Sequence, residues 1–184
     1  RLLFTHDVNV MLAGEMFCGN GSGYSRVALV ALGTGLGFAM SIDGRILKKA
    51  TGSPLVSIFG LPYRDGILED YASKRGFLGT FKALGGQGAA TVKDIAEFAG
   101  GGDKAALETF RSIGSTIART ISPILKEYGI ECLLFGGQIS RSFRFLEPAL
   151  REGLSGVESL VEISQVSNFD NATFNGLRAL LRQE

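Results

Sequence analysis

The chain has only two cysteines, Cys18 and Cys132, and they lie far apart. No Cys-x-x-Cys pair exists, which excludes a zinc cluster of the cysteine type. Counting leaves a disulfide open, but two thiols set in apolar sequence point to core packing in a reducing compartment. There is one histidine, His6, so a His-rich metal site is excluded too. Neither sign of charge is in excess: 19 Lys and Arg stand against 18 Asp and Glu, a net charge of +1. That balance exerts no general pull on nucleic acid or a membrane surface, and no basic run is longer than Lys48-Lys49. No signal peptide is visible in these residues. The longest uncharged stretch, 27–42, is interrupted by glycines, a threonine and a serine and is short for a membrane helix. A cytoplasmic protein without membrane association is expected. The chain opens on Arg1 rather than Met and enters Leu2-Leu3-Phe4 at once, which suggests an excised fragment whose first strand has lost its neighbours.

Apolar residues make up 45% of the 184 residues, enough for one substantial core or one large lobe of a bigger protein. Residues 2–5 read as a short strand. Residues 8–18 have helical spacing, with Asp7 at the N-cap position. Gly19 to Gly23 is a turn or hinge. Strands are expected at 26–32 and 38–42, with Asp43-Gly44 turning the chain into a returning strand over 45–48. Residues 51–65 read as loop, and 66–83 as helix. Thr91 and Asp94 form a partial capping box for a helix over 92–98. Asp103 caps a long helix that Gly129 stops. Its buried face is read as Leu107, Phe110, Gly114, Ile117, Ile121, Ile124 and Tyr128, and Pro123 is expected to kink it. A strand at 132–135, a helix from Ser140 to about 152, a strand at 161–166 and a helix at 172–181 complete an α/β pattern.

Four stretches carry possible chemistry. Gly33-Thr34-Gly35-Leu36-Gly37 interrupts the apolar run VALVAL; glycines there leave backbone amides open to an oxygen-rich group, and Thr34 adds a hydroxyl. It is neither a Walker A loop nor a dinucleotide fingerprint, and an ordinary glycine-rich hairpin explains it equally well. Leu133 to Ser140 runs a strand into Gly136-Gly137 and a helix start, offering a flat ligand ring a bare backbone edge; a short βα loop is the plainer account. Asp7, at a strand end opening a helix, is placed to act as a general base or simply to cap. Glu69 starts a helix, where its charge is favourable in any case.

In this order the four stretches resemble the ROK family of repressors, open reading frames and sugar kinases. HDVNVMLAGE (6–15) matches the family's Asn-Asp-x-Asn-(Ala)-Gly-Glu stretch, GTGLGFAMSIDG (33–44) its second phosphate loop, strand and turn. ILEDYAS (67–73) matches its Cys-Leu-Glu-x-Tyr-Ala-Ser segment and LLFGGQIS (133–140) its adenosine-side Gly-Gly-x-x-Ser. The resemblance spans essentially all of 1–184. It implies an α/β, actin-like ATPase fold of two ribonuclease-H-like lobes, with ATP and sugar in the cleft between them. This chain would be mainly the large C-terminal lobe, with 1–23 the hinge-proximal strand and helix and 24–184 the main lobe; the N-terminal lobe and its Asp-x-Gly-Gly-Thr loop are not in it.

Carried over, Asp7 would be the base that deprotonates the sugar hydroxyl, with Asn9 supporting it. His6, Asn9 and Glu69 would bind sugar. Gly33, Thr34, Gly35 and Gly37 would hold ATP phosphates, and Gly136 and Gly137 would border the adenosine. Mg²⁺ would travel with the nucleotide. Three departures stand out. His6 replaces the family's Asn. GSPLVSI (52–58) stands where Gly-Glu-x-Gly-His is expected, and the zinc cluster is replaced by FGLPYRDGILE (59–69), without cysteine, so no structural zinc is expected. The readings are then an ATP-dependent hexose or amino-sugar kinase, or the sugar-sensing half of a ROK transcriptional regulator. A non-catalytic relative of the fold that only assembles with partners is the third. Nucleic acid would be met only through an upstream domain outside this chain. The resemblance also suggests a homodimer.

Overall fold

A computed structural model describes residues 5–167. The expected strand at 2–5, save its last residue, and the expected helix at 172–181 therefore lie outside the described residues. The chain starts with α1 (Asp7–Cys18) and continues into β1 (Arg26–Leu32) and β2 (Leu36–Ile42). Short β3 (Arg45–Ile46) follows, then a separate hairpin of β4 (Pro62–Tyr63) and β5 (Gly66–Ile67). Helices α2 (Leu68–Ala72), α3 (Lys74–Ala83), α4 (Val92–Gly100) and α5 (Lys104–Tyr128) come next. The described chain closes with β6 (Cys132–Gly136), a 3₁₀ turn (Gln138–Ser142), α6 (Phe143–Leu154) and β7 (Glu162–Gln165).

Five strands form one mixed sheet in the order β3-β2-β1-β6-β7. β1 and β2 are an antiparallel hairpin, whereas β1, β6 and β7 run parallel. VALVAL is apolar without alternation because both faces of β1 are covered. Ala28, Val30 and Leu32 join the large core under α2–α6, and Val27 and Leu29 join the core under α1. Phe77 and Phe110 meet edge-on in the larger core at 5.3 Å between ring centroids. No helix among the described residues is long and apolar enough to cross a membrane.

Several expectations change. The helix read over 66–83 is broken: β5 occupies its start, and Ser73, in extended backbone (φ −119°, ψ 179°), separates α2 from α3. A tertiary bond sits at the break, where Lys74 N–H donates to Gly33 O at 2.9 Å. The corner brings Gly76 so close to Tyr71 that a Cβ there would overlap the Tyr71 carbonyl oxygen. The loop over 51–65 contains β4 and an isolated bridge between Lys48 and Pro54. His6, not Asp7, stands at the cap of α1, and Asp7 is its first helical residue. Leu107 lies outside the buried face of α5, at 41% exposure, because that face follows Ala106, Phe110, Ile113, Ile117 and Ile121 instead. Cys18 is exposed while Cys132 is buried, and both are free thiols.

The capping signals near α4 and α5 hold in detail. Asp94 N–H donates to Thr91 Oγ1 (3.2 Å), and the Asp94 carboxylate accepts from the amides of Ala90 and Thr91, 2.8 Å each. Asp103 accepts from Ala106 N–H at 2.8 Å, and Gly129 closes α5 in the left-handed region (φ 61°). Thr91→Ala costs about 1 kcal/mol of stability, read by urea unfolding. The amides of Ala90 and Thr91 hold the Asp94 carboxyl below its ordinary range. A depressed folded pKa means the contribution is present above the unfolded value and is lost as pH falls through the folded one. The difference between wild type and Asp94→Ala therefore shrinks on acidification.

Candidate functional site

One end of the sheet gathers segments that are distant in sequence. The β1–β2 hairpin ends in Gly33-Thr34-Gly35, with Thr34 and Gly35 exposed at its tip. β6 ends beside it at Gly136-Gly137, because β1 and β6 are parallel neighbours with Ala31 opposite Gly136. The start of α1 and the segment from Lys49 to Glu69 complete a cavity of about 700 Å³. It is lined by His6, Asp7, Gly33, Thr34, Gly35, Gly37, Glu69 and Gly137 among the residues singled out from sequence.

Asp7 and His6 are exposed at the mouth of this cavity. The Asp7 Oδ1 accepts from Val8 N–H at 2.8 Å, and the His6 carbonyl receives the amides of Asn9 and Val10 (3.1 and 3.2 Å). The first turn of α1 thus fixes where the carboxylate stands. An added Cβ at Gly33 would meet nothing within 4 Å, so open space borders the loop there. Bare, exposed backbone facing open space suits phosphate oxygens.

Glu69 reaches the phosphate-type loop directly. Its Oε2 accepts from Leu36 N–H at 3.0 Å, and its Oε1 lies 3.6 Å from Arg75 Nη2. The Glu69 amide donates to Phe59 O (3.0 Å) and the Leu68 amide to Leu61 O (2.8 Å). Asp70 accepts from Ile67 N–H at 2.9 Å and pairs with Arg75 at 2.5 Å. In place of a cysteine-rich cluster, 59–69 carries an aromatic hairpin. Tyr63 and Tyr71 meet edge-on at 5.0 Å, Arg64 lies over both rings, and the Tyr71 hydroxyl donates to Asp65. That bond draws the Asp65 carboxyl below and pushes the Tyr71 phenol above its ordinary range.

Two residues read as site residues are not on the cavity wall. Asn9 is 1% exposed, and its Nδ2 donates to Gly52 O (3.0 Å) and Thr5 Oγ1 (3.2 Å). It ties the 49–54 turn to α1. Gly136 is buried; a Cβ there would overlap the Met11 sulfur, and its carbonyl accepts from Ser140 Oγ at 2.5 Å. Gly137, by contrast, does line the cavity. Lys49, Ser53, Val56, Ser57 and Phe59 also line it and were not singled out individually. Ser53, Val56 and Ser57 lie in 52–58 and Phe59 in 59–69, the stretches that depart from the family pattern, whereas Lys49 lies outside both. Cys132 has no part: burial, then the nearby Glu162, Glu15 and Glu131, push its thiol up to about 12.

A profile of the ROK family matches residues 62–183. A glucokinase of Thermotoga maritima is 26% identical over 174 residues, which cover 83% of this chain; the chain spans 55% of that protein's length. Among solved structures, a ROK family glucokinase from Streptomyces griseus in complex with glucose and AMPPNP is 21% identical with a TM-score of 0.82. The match covers 99% of this chain and 68% of that one. A ROK family transcriptional regulator, a homolog of the E. coli MLC protein, is 19% identical with a TM-score of 0.83, covering 97% and 51%. The α/β fold with its mixed sheet is that of the actin-like ATPases.

Proposed function

Because the chain belongs to the ROK family, we propose that it is mainly the large C-terminal lobe of an ATP-dependent kinase for a hexose or amino sugar. The observation that carries this reading is the single cavity shared by Asp7, the Gly33–Gly37 loop, Glu69 and Gly137, which arrive from four separate segments. Family likeness alone does not require these residues to converge in this chain.

In the proposed reaction a sugar hydroxyl is held against Asp7. Its oxygen attacks the γ-phosphorus of ATP, the carboxylate takes the hydroxyl proton, and the bond to the β-phosphate oxygen breaks to release ADP. Backbone at Gly33, Thr34, Gly35 and Gly37, with the Thr34 hydroxyl, holds the phosphates. Glu69 and His6 hold sugar hydroxyls. Asn9 acts one step back, fixing the turn at Gly52 against α1. Gly137, with Gly136 behind it, borders the adenosine. Mg²⁺ arriving with the nucleotide supplies neutralisation of phosphate charge; no group of three or more His, Cys, Asp or Glu that could hold a metal is found among the described residues. Family membership also leads us to propose a cytoplasmic homodimer.

A second reading is a sugar-sensing half of a regulator. It is favoured by the cavity wall itself, where Pro54 and Val56 place apolar groups in the stretch that departs from the family's polar motif, and Phe59 adds another just beyond it. A sugar hydroxyl left without a partner there binds more weakly. ATP consumption by the full-length protein with a panel of hexoses and amino sugars tests the kinase. Turnover with at least one sugar is expected. A sugar that raises the melting temperature with no turnover on any sugar supports the sensor.

A further inference from the structure

The phosphate-type loop does not stand on its own hairpin alone. Both of its ends are fastened to the corner between α2 and α3. The Gly33 carbonyl accepts from Lys74 N–H at 2.9 Å, the first amide of α3. The Leu36 amide donates to Glu69 Oε2 at 3.0 Å, and that oxygen lies only 2.9 Å from where a Cβ on Gly35 would stand. Between these two struts Thr34 and Gly35 are left exposed. The corner is itself rigidly built, through the close approach of Gly76 to Tyr71 O and the amide bonds of Leu68 and Glu69 to Leu61 and Phe59.

We infer that Glu69 is a positioning residue for the nucleotide as well as a ligand of the sugar: its carboxylate, with the Lys74 amide, holds the loop in its phosphate-binding shape. This rests on the kinase reading above. Two effects of the carboxylate oppose one another. Its negative charge disfavours a nearby phosphate, but Arg75, which also pairs with Asp70 at 2.5 Å, lies 3.6 Å away and offsets part of that charge. An amide held by a charged acceptor is among the stronger hydrogen bonds, and losing it frees a glycine-rich loop. Ordering therefore outweighs repulsion, and nucleotide affinity falls when the strut is removed, even with no sugar present. A residue that only binds sugar has no such effect.

The test is the AMPPNP dissociation constant of the full-length protein, measured by calorimetry with Mg²⁺ and without sugar. Glu69→Ala weakens binding about tenfold. Glu69→Gln, whose side-chain carbonyl still accepts from the Leu36 amide, stays within about threefold of wild type. A second variant removes the other strut. Lys74→Pro removes that strut's donor and sets its ring Cδ where the N–H now meets Gly33 O, so the strut is broken outright, while α3 itself tolerates proline at its first position and Ser73 before it is already extended. It weakens AMPPNP binding severalfold relative to Lys74→Ala. If wild type binds AMPPNP and both Glu69→Ala and Lys74→Pro bind it within twofold of their references, the inference is overturned and the kinase reading stands. If wild type binds no AMPPNP, the kinase reading fails and takes this inference with it.

Discussion

Asp7→Asn in the full-length protein is expected to lower kcat by about 10²–10⁴-fold while leaving sugar and AMPPNP affinities within a few-fold of wild type. Asparagine has the shape of the carboxylate, and its amide oxygen can still accept from Val8 N–H as Asp7 does at 2.8 Å. It cannot take up the hydroxyl proton. The substitution removes the proton acceptor and keeps the helix start, since His6 and the α1 backbone hold that turn through bonds independent of the side chain. Steady-state kinetics alongside calorimetry read both halves of the expectation. An unchanged kcat removes Asp7 from the role of base; a fold-wide loss of both affinities makes it a structural group.

Gly137→Ala is expected to be the most damaging single methyl in the site. Gly137 has φ 83° and ψ 167°, a conformation closed to side chains, and its Cβ would overlap the Leu32 backbone. Leu32 leads directly into Gly33, so the strain falls on the base of the phosphate-type loop. We expect a loss of about 3 kcal/mol or more in unfolding free energy, combining backbone strain with a backbone clash that cannot repack. Gly33→Ala is the contrast. Nothing lies within 4 Å of its Cβ, and its cost in stability is expected to stay below about 1 kcal/mol. Urea unfolding of the two variants beside wild type measures the difference. Equal costs at 33 and 137 would refute the geometric account of Gly137.

The sheet was legible because its physics is local. VALVAL is buried on both faces and so reads as an unbroken apolar run, and the Asp103 and Gly129 boundaries of α5 are set by one side chain and one left-handed residue. The β4–β5 hairpin was not legible, since two-residue strands leave no period to detect. The break at Ser73 was hidden for a different reason: the first amide of α3, Lys74 N–H, goes to Gly33 O far away in sequence, a contact with no pattern along the chain. Of the site, the residues that face ligand through backbone were recognisable as glycines between strands. Asn9 and Gly136 shared those motifs but spend their polar groups and space inside the fold, on Gly52, Ser140 and Met11. Lys49 reaches the cavity only because the Lys48–Pro54 bridge and the Asn9–Gly52 bond fold its turn back toward α1.

The most direct measurement is ³¹P NMR of the full-length protein incubated with ATP, Mg²⁺ and each sugar of a hexose and amino-sugar panel. The kinase account predicts a phosphate-monoester resonance with at least one sugar, appearing as ATP is converted to ADP, and its loss in Asp7→Asn. No monoester with any sugar, while one of them still raises the melting temperature, would contradict phosphoryl transfer and leave the cavity as a sensor.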